Sequence, residues 1–276
     1  MDTHLAITNL TQLFTLHEAV ETLDLAAPPT IRLVFSKSAT TPPRRVGMLC
    51  GSFNPLTLAH TELAERAREA FMLDMVFFTL AKVTVDKEQV TGMSLEDRLL
   101  LLSLFAERHD RMGVALVNRG LYFEQAQAFR ALLGEETTLS FLVGMDKLLQ
   151  IFDPRYYQDR DAALEQLFAV SSLIVANRGD MDEVNFSRLL DRPENRRFRV
   201  HVHFFTLSAA VTDLSATALR KALAAGQPIN SQVPPETVAF LTETHAFAPP
   251  LLIEGEQVEV YAARLRLLAQ LYAARR

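Results

Sequence analysis

From Arg45 to Thr206 the sequence alternates short apolar runs with longer amphipathic ones. The apolar runs Val46–Cys50, Met75–Leu80, Val114–Val117, Leu139–Val143, Leu173–Ala176 and Phe198–Thr206 have the length and composition of strands covered on both faces. The intervening runs predict helices over Ala59–Phe71, Ser94–Arg108, Phe123–Leu133, Ala162–Val170 and Glu183–Leu190. Within Ser94–Arg108, Leu95, Leu99, Leu102 and Phe105–Ala106 share one face, the spacing of a helix laid on a sheet. Two more helices, Ser215–Ala225 and Pro235–Glu243, close this region. Such alternation predicts an open, doubly wound α/β fold with a parallel sheet.

The flanks read differently. Leu10–Leu23 has a helical pattern and is followed by a strand-like "TIRLVFS". A Ser/Thr/Pro-rich stretch, "SKSATTPPRR", then reads as a linker, which sets off residues 1–44 as an appendage to a domain over 45–247. After "FAPPLLIEGE", residues 256–276 form a helical run in which Val258, Tyr261, Leu265, Leu268 and Tyr272 recur at three- and four-residue steps. That is the seam of a helix facing another helix, either the chain's own N-terminal segment or a second copy in a homo-oligomer.

Composition narrows the function classes. The formal charge of −5 argues against a general nucleic-acid binder, which needs a basic surface. It leaves room for a basic pocket in an acidic protein. The single cysteine, Cys50, permits no internal disulfide. No signal peptide is evident, and no run approaches the roughly 18 apolar residues of a membrane span. A cytoplasmic protein acting on small molecules, with neither membrane nor nucleic acid as partner, is the expectation.

The chemistry concentrates at two helix starts. "GSFNPLTLAH", Gly51 to His60, lies at a strand-to-helix turn, the kind of position where α/β sheets bind ligands. Gly51 allows either close backbone approach or an unusual φ, Pro55 fixes the loop, and the next helix aims its amides outward. Thr57 and His60 fall at the start of that helix, where they either cap it and face solvent or donate to phosphate oxygens. In "TDLSATALRKAL", Ser215 or Thr217 caps a second helix, and Arg220 lies one turn in. Two anion-binding helix starts in one domain point to a polyphosphate.

These segments resemble the motifs of the nucleotidyltransferase superfamily. "GSFNPLTLAH" is similar to its Gly-x-Phe-x-Pro-x-(His/Thr)-x-x-His pattern, and "LSATALR" to its Ile-Ser-Ser-Thr-x-x-Arg pattern. "FLVGMDKLLQIF", "LIVANRGD" and "GQPINSQVPPETVAFLTETHAF" resemble, in order, segments of the nicotinamide and nicotinate mononucleotide adenylyltransferases. The resemblance covers roughly residues 45–247 and implies a Rossmann-like fold and an Mg²⁺-dependent adenylyl transfer from ATP to a pyridine mononucleotide, without a covalent intermediate.

By that resemblance His60, Thr57 and Arg220 serve catalysis. Gly51, Ser52, Phe53, Asp146, Arg178, Ser215 and Thr217 hold the nucleotide. Lys82 or Lys87, Arg98, and an aromatic among Phe152, Tyr156 and Tyr157 meet the acceptor. Three departures keep other acceptors open, among them phosphopantetheine, FMN and a cytidylyl acceptor, as well as binding without turnover. Thr57 stands where many relatives have histidine, Ala216 replaces a serine, and the chain has no tryptophan to stack on a pyridine ring. His201 and His203, in "RVHVHFF", fit one face of a strand with no third ligand beside them.

Overall fold

In a computed structural model, residues 7–37, 42–83, 92–253 and 255–275 are described. The chain opens with α1 (Leu10–Glu21) and β1 (Ile31–Ser36). It then runs β2 (Arg45–Cys50), α2 (Leu58–Ala70), β3 (Met75–Ala81), α3 (Leu95–Arg108), β4 (Met112–Val117), α4 (Tyr122–Leu133), β5 (Thr138–Gly144) and α5 (Met145–Ile151). Next come α6 (Arg160–Val170), β6 (Ser171–Ala176), α7 (Glu183–Leu190), β7 (Val202–Phe205), α8 (Ala209–Thr212), α9 (Ala216–Ala224) and α10 (Pro235–Thr244). A hairpin of β8 (Leu251–Ile253) and β9 (Glu256–Val258) leads to α11 (Val260–Arg275).

The central sheet has seven strands in the order β1-β4-β3-β2-β5-β6-β7. Six are parallel, and β1 adds an antiparallel edge against β4. Side chains alternate across it with the two-residue period of a strand. In β3, Val76, Phe78 and Leu80 enter one core with α1, α2, α3, α10 and α11, while Met75 and Phe77 enter the other. In β5, Leu142 faces the first core, and Leu139, Phe141 and Val143 join α4, α5, α6 and α7 in the second. Both faces are therefore buried, which is why these strands read as unbroken apolar runs. This is the doubly wound, Rossmann-like α/β architecture. No described helix is long and apolar enough to cross a membrane.

The direction of winding reverses at β2, which pairs with β3 on one side and β5 on the other. A crevice opens at the carboxyl ends of strands on either side of such a reversal, and ligands of open α/β sheets bind there.

Elements shift slightly from their sequence-based bounds, and one shifts for a clear reason. The strand expected over Phe198–Thr206 is confined to Val202–Phe205, because Arg196–His201 winds into a 3₁₀ turn. His201 lies in that turn, stacked on Phe168 at 5.2 Å, and does not share a strand face with His203.

The two flanks are built into this frame. The stretch between α1 and β1 crosses the ends of β3 and β4 and is held there by three side chains. Lys82 Nζ donates to the carbonyls of Val20 (2.6 Å) and Leu23 (2.9 Å). Buried Asn118 donates to Asp24 (2.9 Å) and Pro28 (3.0 Å) and accepts from the Thr30 amide (2.8 Å). Arg119 reaches the carbonyls of Leu25 and Ala27. At the other end, the seam of α11 is filled by its own chain. Tyr272 stacks on His17 of α1 at 3.8 Å, and Leu268 is buried in the core.

Asn118→Ala removes an acceptor and two donors of a buried side chain at once. We expect a loss of roughly 2–4 kcal/mol, read by urea denaturation, together with new protease cleavage between residues 22 and 30. A loss below about 0.5 kcal/mol would show that the N-terminal stretch is held by other means.

Candidate active site

The loop from Gly51 to Thr57 follows β2 and is fixed from four directions. Arg98, near the start of α3, donates from Nη1 to the Ser52 carbonyl (3.0 Å). Arg220, on α9, donates from Nη1 to the Asn54 carbonyl (2.9 Å) and from Nη2 to Thr217 Oγ1 (3.2 Å). Thr237, on α10, donates to the Leu56 carbonyl (3.2 Å), and Asn54 Oδ1 accepts from the Met93 amide (3.1 Å). Carbonyl oxygens that would repel an anion are thereby engaged by cationic and hydroxyl donors. Arg220 also joins the second motif to the first, since Ser215 caps α9 by accepting from Ala218 N.

Phe53 is 1 % exposed and has φ 43°, in the left-handed region. Its ring lies edge-on to Phe78 (5.5 Å) and His60 (5.1 Å). A Cβ on Gly51 would sit 3.1 Å from Phe53 Cζ. Of the two reasons for a glycine at 51, close approach is the one realised: the ring of residue 53 folds back over the backbone of residue 51. The unusual φ belongs to Phe53, a conformation that costs about 1 kcal/mol or more and is kept by the surrounding packing.

Thr57 and His60 form a reciprocal cap at the start of α2. The Thr57 backbone N–H donates to His60 Nδ1 (3.1 Å), and Thr57 Oγ1 lies 2.9 Å from the same nitrogen. His60 thus takes the part usually played by Glu or Gln at the third helical position. Because Nδ1 accepts, the neutral ring carries its proton on Nε2. Burial is the main cause that lowers the His60 pKa to about 4; the charge of Arg178 adds to it, and Asp146 opposes it. At neutral pH the residue is an uncharged hydrogen-bond donor.

Those two charges come from the far side of the crevice. Asp146, in the first turn of α5, and Arg178, just after β6, form an ion pair at 3.3 Å with both side chains about half exposed. A pair so exposed contributes about 1 kcal/mol or less, so a ligand can compete for either partner. The Asp146 carboxylate rests over Gly144, where an added Cβ would meet Oδ1 at 2.9 Å. His60 thus feels the charges of Asp146 and Arg178, while Arg98 and Arg220 reach the loop before it and Thr217 is held by Arg220.

Other expected residues are engaged by other partners or lie outside the described residues. Lys82, weighed for the acceptor phosphate, has its ammonium on the end of α1. Lys87 lies outside the described residues. Phe152 is 5 % exposed, packed among Phe168, Phe198 and Arg160, so its face is not open to a ligand. Tyr156 is half-buried beside Gln150, and Tyr157 donates to the Ile151 carbonyl.

Two residues outside the sequence-based set are linked electrostatically to Cys50 and Asp146. Tyr122, at the start of α4, packs edge-on against Phe141 at 5.0 Å. Burial first, then Cys50, Asp146 and Tyr157, hold its hydroxyl well above the ordinary range. Lys147, next to Asp146 in "GMDK", bonds Gln150 (2.6 Å) and places its charge near the Cys50 thiol, itself pushed far up by burial. Lys147's position beside the aspartate was a readable signal; nothing local marks Tyr122.

Two outcomes follow. Gly51→Ala should displace the Phe53 ring and cost about 1–3 kcal/mol by the overpacking route, read by thermal unfolding; an unchanged melting point would refute the close approach. The pH dependence has a definite sign. Between the ordinary His pKa near 6.5 and the folded value of about 4, the unfolded chain binds a proton that the folded one refuses. Stability contributed by His60 is therefore full above pH 6.5, is lost as pH falls towards 4, and is lost no further below that. His60→Asn, without that titration, should show a shallower decline over this window in urea melts; an identical slope would count against the neutral ring.

Comparison with known proteins agrees with this fold. A family model described as cytidylyltransferase-like matches residues 48–222. A probable nicotinate-nucleotide adenylyltransferase of Synechococcus sp. (strain JA-3-3Ab) is 28% identical over 214 residues, 75% of this chain and 96% of that protein. One from Trichlorobacter lovleyi is 28% identical over 221 residues, 74% of this chain and 100% of its own. Among solved structures, Plasmodium falciparum nicotinic acid mononucleotide adenylyltransferase complexed with NaAD shares the fold at a TM-score of 0.56 and 14% identity, covering 74% of this chain and 97% of that one. With the matched segment spanning the crevice from β2 to α9, this chain belongs to the cytidylyltransferase-like family.

Proposed function

We propose that this chain transfers the adenylyl group of ATP to a pyridine mononucleotide, with nicotinate mononucleotide preferred, releasing pyrophosphate. The observation that supports it most is the loop after β2, gripped by Arg220 and leading to a His60 whose Nδ1 is taken up by the helix cap and whose ring feels the charges of Arg178 and Asp146. Relatives named for nicotinate-nucleotide adenylyl transfer, matched over nearly their whole length, support the choice of acceptor.

In this reading an oxygen of the acceptor's 5′-phosphate forms a bond to the α-phosphorus of ATP. The bond from that phosphorus to the β-phosphate bridging oxygen breaks, and pyrophosphate leaves with its electron pair. Such a transfer asks the protein for positioning and charge stabilisation more than for covalent chemistry. His60 donates from Nε2 to oxygens of the reacting phosphates. Because the ring stays neutral, permanent charge falls to Arg220 on the β- and γ-phosphates, with Ser215 and Thr217 beside it, and to Arg178. Asp146 receives the nucleotide sugar, and Gly51, Ser52 and Phe53 offer backbone to the phosphates. Tyr122 and Tyr156 are our candidates for the pyridine face, and Lys147 for the acceptor phosphate alongside Lys87. Bound by the phosphates of ATP, with few protein ligands, Mg²⁺ would supply further charge neutralisation there. We take both substrates to be cytoplasmic small molecules.

Purified protein with ATP, Mg²⁺ and each mononucleotide should release pyrophosphate fastest with the nicotinate form. Release only with phosphopantetheine, FMN or a cytidylyl acceptor would move the chain to another member activity, and binding of ATP without release would make it a non-catalytic protein. His60→Asn keeps an acceptor for the Thr57 amide and removes the Nε2–H. It should lower kcat by roughly 10²–10³-fold, as loss of one donor to developing charge does elsewhere, with a near-normal melting point. Near-normal turnover in that variant would show that His60 only caps its helix.

A further inference from the structure

The last helix, α11, lies well beyond the family-matched region and reaches the loop of the candidate site through a continuous chain of hydrogen bonds. Asp97, in the first turn of α3, has 0% exposure. Its Oδ2 accepts from the Tyr261 hydroxyl (2.8 Å) and its Oδ1 from Arg264 Nη2 (2.8 Å), both side chains of α11. The same Tyr261 oxygen accepts from the Ser94 amide (2.9 Å), the cap residue of α3. The Ser94 carbonyl in turn accepts from Nε of Arg98 (3.3 Å), whose Nη1 holds the Ser52 carbonyl (3.0 Å). A carboxylate buried to this degree needs its partners, since removing one leaves an uncompensated charge in the interior. The start of α3 is therefore fixed by α11, and the guanidinium that grips the loop is fixed with it.

We propose that α11 is a working part of the nucleotide site, and that Tyr261 is a positioning residue which holds the Gly51–Asn54 loop in its anion-binding shape through Ser94, Asp97 and Arg98. The proposal rests on reading that loop as the ATP loop. Family membership alone does not supply it, because the matched region ends at residue 222 and α11 begins at 260. Tyr261 touches neither reacting phosphate nor acceptor; it acts on the loop at one remove, through a rigid helix start.

The test uses the full chain. Backbone amide exchange of the peptide covering residues 51–57 is measured without ligand for the native protein, Tyr261→Phe, Arg98→Lys and the double variant. Affinity for a non-hydrolysable ATP analogue is measured in parallel. Each single variant should speed loop exchange by on the order of 10-fold, since local opening reports local stability. Analogue affinity should fall by about the same factor. The double variant should be no worse than the worse single one, because both changes cut the same chain, whereas independent effects would multiply.

Tyr272→Phe, which alters a hydroxyl without a partner among the described residues at the other end of α11, should change neither reading. Unchanged loop exchange in Tyr261→Phe, or a double variant whose factors multiply, would overturn the proposal. If Tyr261→Phe fails to fold, Arg264→Lys gives the same two readings on the same carboxylate. Exchange is read without nucleotide, so a protein that fails to turn over the mononucleotide overturns the proposed function while this test still stands.

Discussion

A loop that must present a fixed surface to an anion has to dispose of its own carbonyl oxygens. The loop after β2 does this with donors brought from three helices far apart in sequence: Arg98 to Ser52, Arg220 to Asn54 and Thr237 to Leu56. Each is a long-range contact, so the loop has its shape only when α3, α9 and α10 are all docked. Local rules would not keep it there. Phe53 holds a left-handed φ that its residue type disfavours, and its ring is kept in place by Phe78 and His60. The strain and the bolting belong together, because a conformation of this kind persists only where its surroundings over-determine it.

The same economy governs His60. One ring nitrogen closes the cap of α2 and, in doing so, decides which face of the imidazole carries the proton. The residue's structural and chemical roles are therefore not separable by deletion, only by a replacement that keeps the acceptor. In the proposed function, neutrality also divides labour within the site: the histidine would offer direction, and the arginines charge that does not vary with pH.

Much of this was legible in the sequence, for identifiable reasons. The parallel strands are buried on both faces and so read as plain apolar runs, and the order of strand and helix fixed the α/β class. The spacing of Gly51, Phe53, Pro55, Thr57 and His60 was readable because a turn, a packed ring and a cap are local events. What was not legible depends on contacts across the chain. "AKV" does not say that the Lys82 ammonium turns back to α1, and an edge strand such as β1 is indistinguishable from a free strand until its partner is known. Phe152 and Tyr122 could not be ranked, because whether an aromatic lines a site or a core is decided by neighbours hundreds of atoms away in the chain.

The contact of Tyr272 with His17 joins the last helix to the first across nearly the whole chain. Contacts of such sequence separation close late, since the loop they complete is the longest available. During synthesis α1 leaves the ribosome early, yet the face that receives Tyr272 stays uncovered until α11 has been made. The buried Asp97 likewise waits for Arg264. Until then the aromatic face of α1 lies open and Asp97 lacks its Tyr261 and Arg264 partners.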